Sequence, residues 1–218
     1  MSVTTGLIAR GPWDPSRVDV AWQPDPFEPS QSAIEAADQA LAELRQRGSP
    51  SHDGLAARLV SFQADSEKLQ LQLQPARWAL RLIEDDISNS LSVLCLVRRL
   101  DRRWLAGRRA EWLATWAGRW ALGAGGAVEV DENPAEAMTR ELQEEWSVVP
   151  ERYTVEALVG VPSGMVLLVG MAWLPDGASV TPDAEHDEYA WWPASTDDWP
   201  PEADGPLRTL AATLSAGE

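Results

Sequence analysis

Residues 126–148 read Gly-Ala-Val-Glu-Val-Asp-Glu-Asn-Pro-Ala-Glu-Ala-Met-Thr-Arg-Glu-Leu-Gln-Glu-Glu-Trp-Ser-Val, a glycine turn followed by a helix dense in glutamate. Asn133 and Pro134 make a helix start, with Glu136 at the capping-box position. At 100° per residue, Glu141, Glu144 and Glu145 fall within an arc of about 100°. Three like charges so close resist joint ionisation. A divalent cation removes the conflict, because carboxylate oxygens are natural ligands of Mg²⁺ and Mn²⁺. A charge run more commonly forms a solvated face, so the spacing has to decide.

The spacing fits Gly-x5-Glu-x7-Arg-Glu-U-x-Glu-Glu-x-Gly-U, with U a bulky aliphatic residue. The matches are Gly126, Glu132, Arg140, Glu141, Leu142, Glu144, Glu145 and Val148, and only Ser147 departs, standing where the pattern has glycine. The six non-aliphatic matches arise by chance with odds on the order of one in ten million, at about one in fifteen per residue. This segment resembles the signature of the Nudix hydrolases, and a looser likeness extends over residues 90–195. The departing glycine commonly takes the left-handed conformation at a helix end, so Ser147 is expected to cost ~1 kcal/mol of local stability without touching the chemistry.

The resemblance implies an α+β fold, an α/β/α sandwich with a central mixed sheet. The expected organisation is a proline-rich arm and helical extension over 1–68 and the hydrolase domain over 69–218. It implies metal-dependent hydrolysis of a diphosphate bond in a nucleoside diphosphate linked to another moiety. Glu141, Glu144 and Glu145 are the implied ligands of Mg²⁺ or Mn²⁺, with the carbonyl of Gly125 a further one. Glu141 has a second reading, in which it orients or deprotonates the attacking water. Arg140 is expected to fix a glutamate, Glu132, through a bidentate pair rather than to touch substrate. Some relatives carry the general base in a later loop, where Glu185, His186, Asp187 and Glu188 stand, and Glu185 and Glu188 are the stronger candidates.

Composition narrows the partners. A net charge of −16 disfavours nucleic acid and anionic membranes as partners, and the small nucleotide substrate is what the resemblance implies. One cysteine, Cys95, lies in an apolar run and is expected in the core. With no disulfide framework and no signal-peptide pattern at the N-terminus, a cytoplasmic home is expected. Within 22 positions stand seven arginines: Arg98, Arg99, Arg102, Arg103, Arg108, Arg109 and Arg119. Their planar forks suit phosphate oxygens, and Arg108 and Arg109 are the favoured substrate contacts, although any one arginine is more often a surface ion-pair partner. Of twelve tryptophans most belong in packing, with Trp78, Trp112 and Trp116 candidates to stack on a base. His52 reads as structural. Relatives often form homodimers, but nothing in this sequence demands one.

Along the chain, residues 1–29 hold five prolines and read as an extended arm. A capping box at Ser32 and Glu35 opens a helix with Ile34, Ala37, Leu41 and Leu44 on one stripe, closed by Gly48. A second helix is expected over 54–62. Strands follow at 69–73, ending or edged at Pro75, and at 78–82. A buried strand over 92–100 turns at 101–103 into a partner at 104–108. Trp112, Trp116 and Trp120 fit one helical face, but the family likeness favours a loop and strand. Strands at 153–161, 165–174 and 188–192 and a helix over 207–214 complete the expectation.

The substrate is the least constrained element. Residues 50–83 resemble the N-terminal part of Nudix hydrolases of nucleoside-diphosphate sugars, which points to a nucleotide sugar or ADP-ribose type substrate. Three alternatives are a nucleoside triphosphate pyrophosphohydrolase, a non-catalytic nucleotide-binding regulator, and an isomerase on the same fold. The intact glutamates argue against the second. The third needs an available cysteine and more histidines than two.

Overall fold

The computed structural model describes residues 5–50, 53–83 and 88–215, so His52 lies outside it. Ten strands and three α-helices run in the order β1 (Gly6–Trp13), β2 (Val18–Trp22), α1 (Gln31–Gln46), β3 (Leu55–Ala64), β4 (Leu69–Arg77), β5 (Leu91–Arg99), β6 (Trp104–Arg109), β7 (Trp120–Leu122), α2 (Pro134–Trp146), β8 (Arg152–Gly160), β9 (Val166–Leu174), β10 (His186–Trp192) and α3 (Gly205–Ser215). The main sheet has the order β1-β8-β9-β5-β6-β10, with β7 on β6. Its central pair, β5 and β9, is parallel, and the others are antiparallel. A second sheet, β2-β4-β3, pairs β2 parallel to β4.

Side chains alternate across a strand, so one sequence feeds two cores. Leu91, Val93, Cys95 and Val97 of β5 join Met138, Leu142 and Trp146 of α2, together with Leu59, Leu69, Leu71 and Leu73 of the second sheet. Leu96 of β5 joins Trp104, Trp192, Trp199 and Leu207, Ala211 and Leu214 of α3 on the other face. The main sheet is thus covered by α2 on one side and α3 on the other, the sandwich expected. Cys95 is fully buried, and burial pushes its thiol pKa up. Gly170 of β9 lets α2 approach, because a Cβ there would overlap the Met138 sulfur.

Several local expectations are corrected. Residues 54–62 form no helix. They belong to β3, whose apolar residues bury against β4 and whose Ala56 and Arg58 also bridge to Glu129 and Ser90. Residues 78–82 are a 3-10 turn rather than a strand, with Ala79 and Leu80 buried against Ala37 and Leu41 of α1. The α1 cap is Ser30, whose hydroxyl accepts from the Ala33 amide, two residues before the expected box. The proline-rich stretch carries β1, an edge strand of the main sheet, and β2. The expected boundary at 68/69 falls at the turn of the β3–β4 hairpin. Residues 110–119 form a loop into β7, as the family likeness favoured. Among the described residues no helix is long and apolar enough to cross a membrane.

Candidate active site

The glycine loop crosses the main sheet at β5. The Cys95 amide donates to Ala124 O at 2.8 Å and the Val93 amide to Gly126 O at 2.9 Å. Gly123 adopts a φ of 65°, and a Cβ there would overlap the Cys95 carbonyl, so glycine is required on both counts. At Gly126 a Cβ would fall on the Glu141 carboxylate. That glycine lets backbone and carboxylate touch.

Helix α2 begins at Asn133, whose side-chain oxygen accepts from the Ala135 amide at 2.9 Å. The Asn133 amide nitrogen donates to Val18 O at 2.9 Å, tying the helix to β2. The helix ends at Ser147, which takes the left-handed conformation (φ 56°, ψ 37°) usually given to glycine.

Arg140 organises the acidic face. Its Nε and Nη2 donate to the two Glu132 oxygens at 2.8 and 3.0 Å, a bidentate pair. Nη1 donates to Glu141 Oε1 at 2.7 Å and to Glu144 Oε2 at 3.0 Å, and Nη2 also reaches Ala127 O. These contacts push the Arg140 pKa up, the Glu132 bond most of all. Glu141 is 8% exposed, and burial raises its pKa to about 7 against the pull of Arg140. Glu145 is 3% exposed. Its Oε1 accepts from the Gly125 amide at 2.9 Å, while its buried Oε2 has no hydrogen-bond partner. Burial holds its pKa well above the usual carboxylate range. Among the described residues, no three His, Cys, Asp or Glu side chains converge to hold an ion as they stand. Arg140 Nη1 spans Glu141 and Glu144 instead.

Strand β10 supplies the opposite wall. The His186 ring stacks on Trp146 with centroids 4.3 Å apart and packs where a Gly107 side chain would stand. Its Nε2 lies 3.7 Å from Glu145 Oε2 and its Nδ1 3.5 Å from Asp183 Oδ1. Burial and Arg109 lower its pKa. Glu185 lies 3.7 Å from Arg109 Nη2. Burial raises the Glu185 pKa, Arg109 opposes it, and Asp183 and Glu144 add to the rise.

A register shift between His186 and Glu188 separates the candidates. Pairing sets His186 opposite Arg109 and Glu188 opposite Arg108. Arg109 and His186 face α2. Arg108 and Glu188 form their own exposed ion pair at 3.4 Å, and Arg108 lines a hollow with Arg119, Trp120 and Asp204 beside the start of α3. The structure therefore brings Glu185, His186 and Arg109 to the glutamates and sets Glu188 and Arg108 apart. Trp78 packs beside α1, and Trp116 stands 44% exposed with Arg119 over its ring.

Arg81 escaped the sequence reading. It follows β4, donates to Ser92 Oγ at 2.7 Å, and is close enough to Glu141 for attraction to offset part of the desolvation that lowers its pKa to about 10. A lone arginine in an apolar stretch carries no signal of its own, and only the return of residues 78–82 beside β5 places it here.

The NUDIX domain family model matches residues 89–206, more than half of the chain. No curated protein matches it. Solved structures that are similar include a MutT protein from Methanosarcina mazei Go1 (26% identity, 59% of this chain and 94% of that one, TM-score 0.45). Another is a C. elegans Ap4A hydrolase binary complex (17% identity, 58% and 96%, TM-score 0.47). A third is the NUDIX domain of Shewanella oneidensis NrtR complexed with ADP ribose (22% identity, 57% and 87%, TM-score 0.46). The chain belongs to the NUDIX family.

Proposed function

We propose that the chain hydrolyses a diphosphate bond in a nucleoside diphosphate linked to a second moiety, a nucleotide sugar or ADP-ribose type compound. The observation that carries the reading is the buried Glu145 Oε2, which accepts no hydrogen bond and has only His186 Nε2 at 3.7 Å, beside two more glutamates marshalled by one arginine. Burying such an oxygen unpaired is costly, and a hard cation with oxygen preference removes the cost. The donor set fits Mg²⁺ or Mn²⁺: Glu141, Glu144 and Glu145, with the Gly125 carbonyl. Glu144 is the exposed member, and reaching an ion would exchange its bond to Arg140 Nη1 for one to the metal. When bound, the metal neutralises diphosphate charge and lowers the pKa of water.

The chain's own groups do the rest. Arg140, anchored on Glu132 and Ala127 O, keeps Glu141 and Glu144 on one side of the helix. Gly125 N fixes Glu145 Oε1. Arg109, which acts electrostatically on Glu145, and Arg81, which acts on Glu141, supply positive charge to diphosphate oxygens. Glu185, half-buried with a raised pKa, is the base that takes a proton from the attacking water at its carboxylate. The substrate preference rests on the likeness of residues 50–83. The β3 strand from this stretch bridges to Glu129 beside the motif loop, so the second moiety has a neighbouring wall to meet.

A panel of ADP-ribose, nucleotide sugars and nucleoside triphosphates with Mg²⁺ and Mn²⁺, followed by ³¹P NMR, tests this. The expected products are a nucleoside monophosphate and a phosphorylated second moiety. Cleavage of triphosphates alone overturns the substrate assignment, and intact compounds throughout overturn the reaction.

A further inference from the structure

His186 faces the glutamates but is neither one of the oxygen donors nor the base. Its place is nonetheless fixed from three directions. The loop before it is laced to the last turn of α2: Thr181 N donates to Trp146 O and Asp183 N to Glu145 O, each at 2.9 Å. The ring lies against Trp146, with centroids 4.3 Å apart. On its other side stands Gly107, where a Cβ would overlap ring atoms Cδ2 and Nε2, so that any side chain at 107 would displace the imidazole. The His186 side chain is 1% exposed.

The two ring nitrogens meet two carboxylates. Nδ1 lies 3.5 Å from Asp183 Oδ1, and Nε2 lies 3.7 Å from Glu145 Oε2. Asp183 Oδ1 is itself held by the Glu185 amide at 2.9 Å. A carboxylate beside Nδ1 keeps the ring proton on that nitrogen and turns the Nε2 lone pair towards Glu145. Glu145 Oε2 accepts no hydrogen bond. Two lone pairs facing each other in a buried place repel, and a gap of 3.7 Å is too long for a hydrogen bond between them. A cation relieves both. Two donors to one ion, with bonds of about 2.1 Å, stand about 3.0 Å apart at a right angle and about 3.4 Å apart at a tetrahedral angle. The observed gap is close to the second value. A carboxylate behind a histidine is also the arrangement that orients an imidazole towards a metal and strengthens it as a donor.

We infer, resting on the metal-dependent reading above, that His186 Nε2 is a nitrogen ligand of the same cation that Glu145 Oε2 holds. Asp183 is a positioning residue that acts through the ring. An all-oxygen set suits Mg²⁺ or Mn²⁺, and one imidazole nitrogen shifts the preference towards first-row transition ions, so Co²⁺ binds more tightly than Mg²⁺.

Pulsed EPR of the whole chain loaded with Mn²⁺, prepared with and without ¹⁵N-labelled histidine, tests the assignment. The expected signal is the coupling of a directly bound nitrogen that changes with the label. It should vanish in His186→Gln and persist in His52→Gln, the variant of the other histidine in the chain. In calorimetry, His186→Gln should weaken Co²⁺ binding about 100-fold and Asp183→Asn about tenfold, with Mg²⁺ changed less than about twofold by Asp183→Asn. Asp183 is partly exposed, so that variant and the wild-type spectrum remain informative if His186→Gln folds poorly. Bound Mn²⁺ without nitrogen coupling, or coupling that survives His186→Gln, overturns the inference and leaves the glutamate site standing. Equal losses of Co²⁺ and Mg²⁺ in Asp183→Asn also overturn it, since a purely structural histidine would affect both ions alike. Absence of any bound Mn²⁺ overturns the metal-dependent reading as well.

Discussion

The two faces of the main sheet carry opposite versions of one electrostatic problem. On the α2 face, Glu141, Glu144 and Glu145 stand together with a single internal cation, Arg140, between two of them. On the α3 face, Arg10, Arg98, Arg99, Arg102 and Arg152 line one hollow together with Glu156. The proposed metal site belongs to the first cluster, whose three carboxylates outnumber the one guanidinium between them. The two clusters differ in construction. The acidic set rises from one helix, and its spacing is dictated by the helical repeat. The basic set is assembled from β1, β5, β8 and a turn, and its members meet only because the sheet pairs them.

The largest expected effect that separates the faces is Glu145→Gln. It should lower turnover by about 100-fold or more with folding intact, since it weakens the hold on the metal. A near-normal rate would remove Glu145 from the site. Next, Glu185→Gln should cost about 100-fold in kcat, the scale of a lost general base. Glu188→Gln should change kcat less than about twofold, the scale of an exposed ion pair. Reversal of that order would place the base on the other side of the register shift. Arg140→Lys keeps the charge and loses the fork, so Mn²⁺ affinity should fall about tenfold. Unchanged affinity would make the Glu132 pair irrelevant to the acidic set.

The smallest effect is in stability against pH. Glu141 has a folded pKa raised to about 7 from an ordinary 4.5. A raised folded value means that its contribution is full below 4.5 and is lost as pH climbs through about 7. Glu145 acts in the same direction. The Tm in EDTA should therefore decline from pH 5 to pH 7.5, and added Mn²⁺ should raise it more at pH 7.5 than at pH 5. A Tm independent of pH, or a Mn²⁺ shift equal at both, would contradict the burial of these acids.

What was legible in the sequence follows the same division. The glycine turn, the Asn133 cap, the α2 helix, the Arg140–Glu132 pair and the αL end at Ser147 are all local, set by neighbours within a few turns, and the spacing carries them. The alternation in β4, β5 and β9 is local too. The stretch 54–62 misled because its apolar residues are nearly continuous, and a strand buried between partners reads like a buried helix. Residues 78–82 alternate by accident, while burial of Ala79 and Leu80 against α1 selects a tight turn. Arg108 and Arg109 are adjacent in sequence but face opposite sides of the sheet, and the shift after His186 does the same to Glu185 and Glu188. Such choices turn on pairing across 77 or more positions, which no local pattern encodes. Arg81 and the basic cavity were hidden for the same reason.

Anomalous diffraction from crystals soaked in Mn²⁺ tests the central claim most directly. The account requires a peak within coordination distance of carboxylate oxygens of Glu144 and Glu145, with Glu141 alongside and Arg140 Nη1 displaced from Glu144. A saturated soak with no peak at α2, or one confined to other carboxylates, would contradict it.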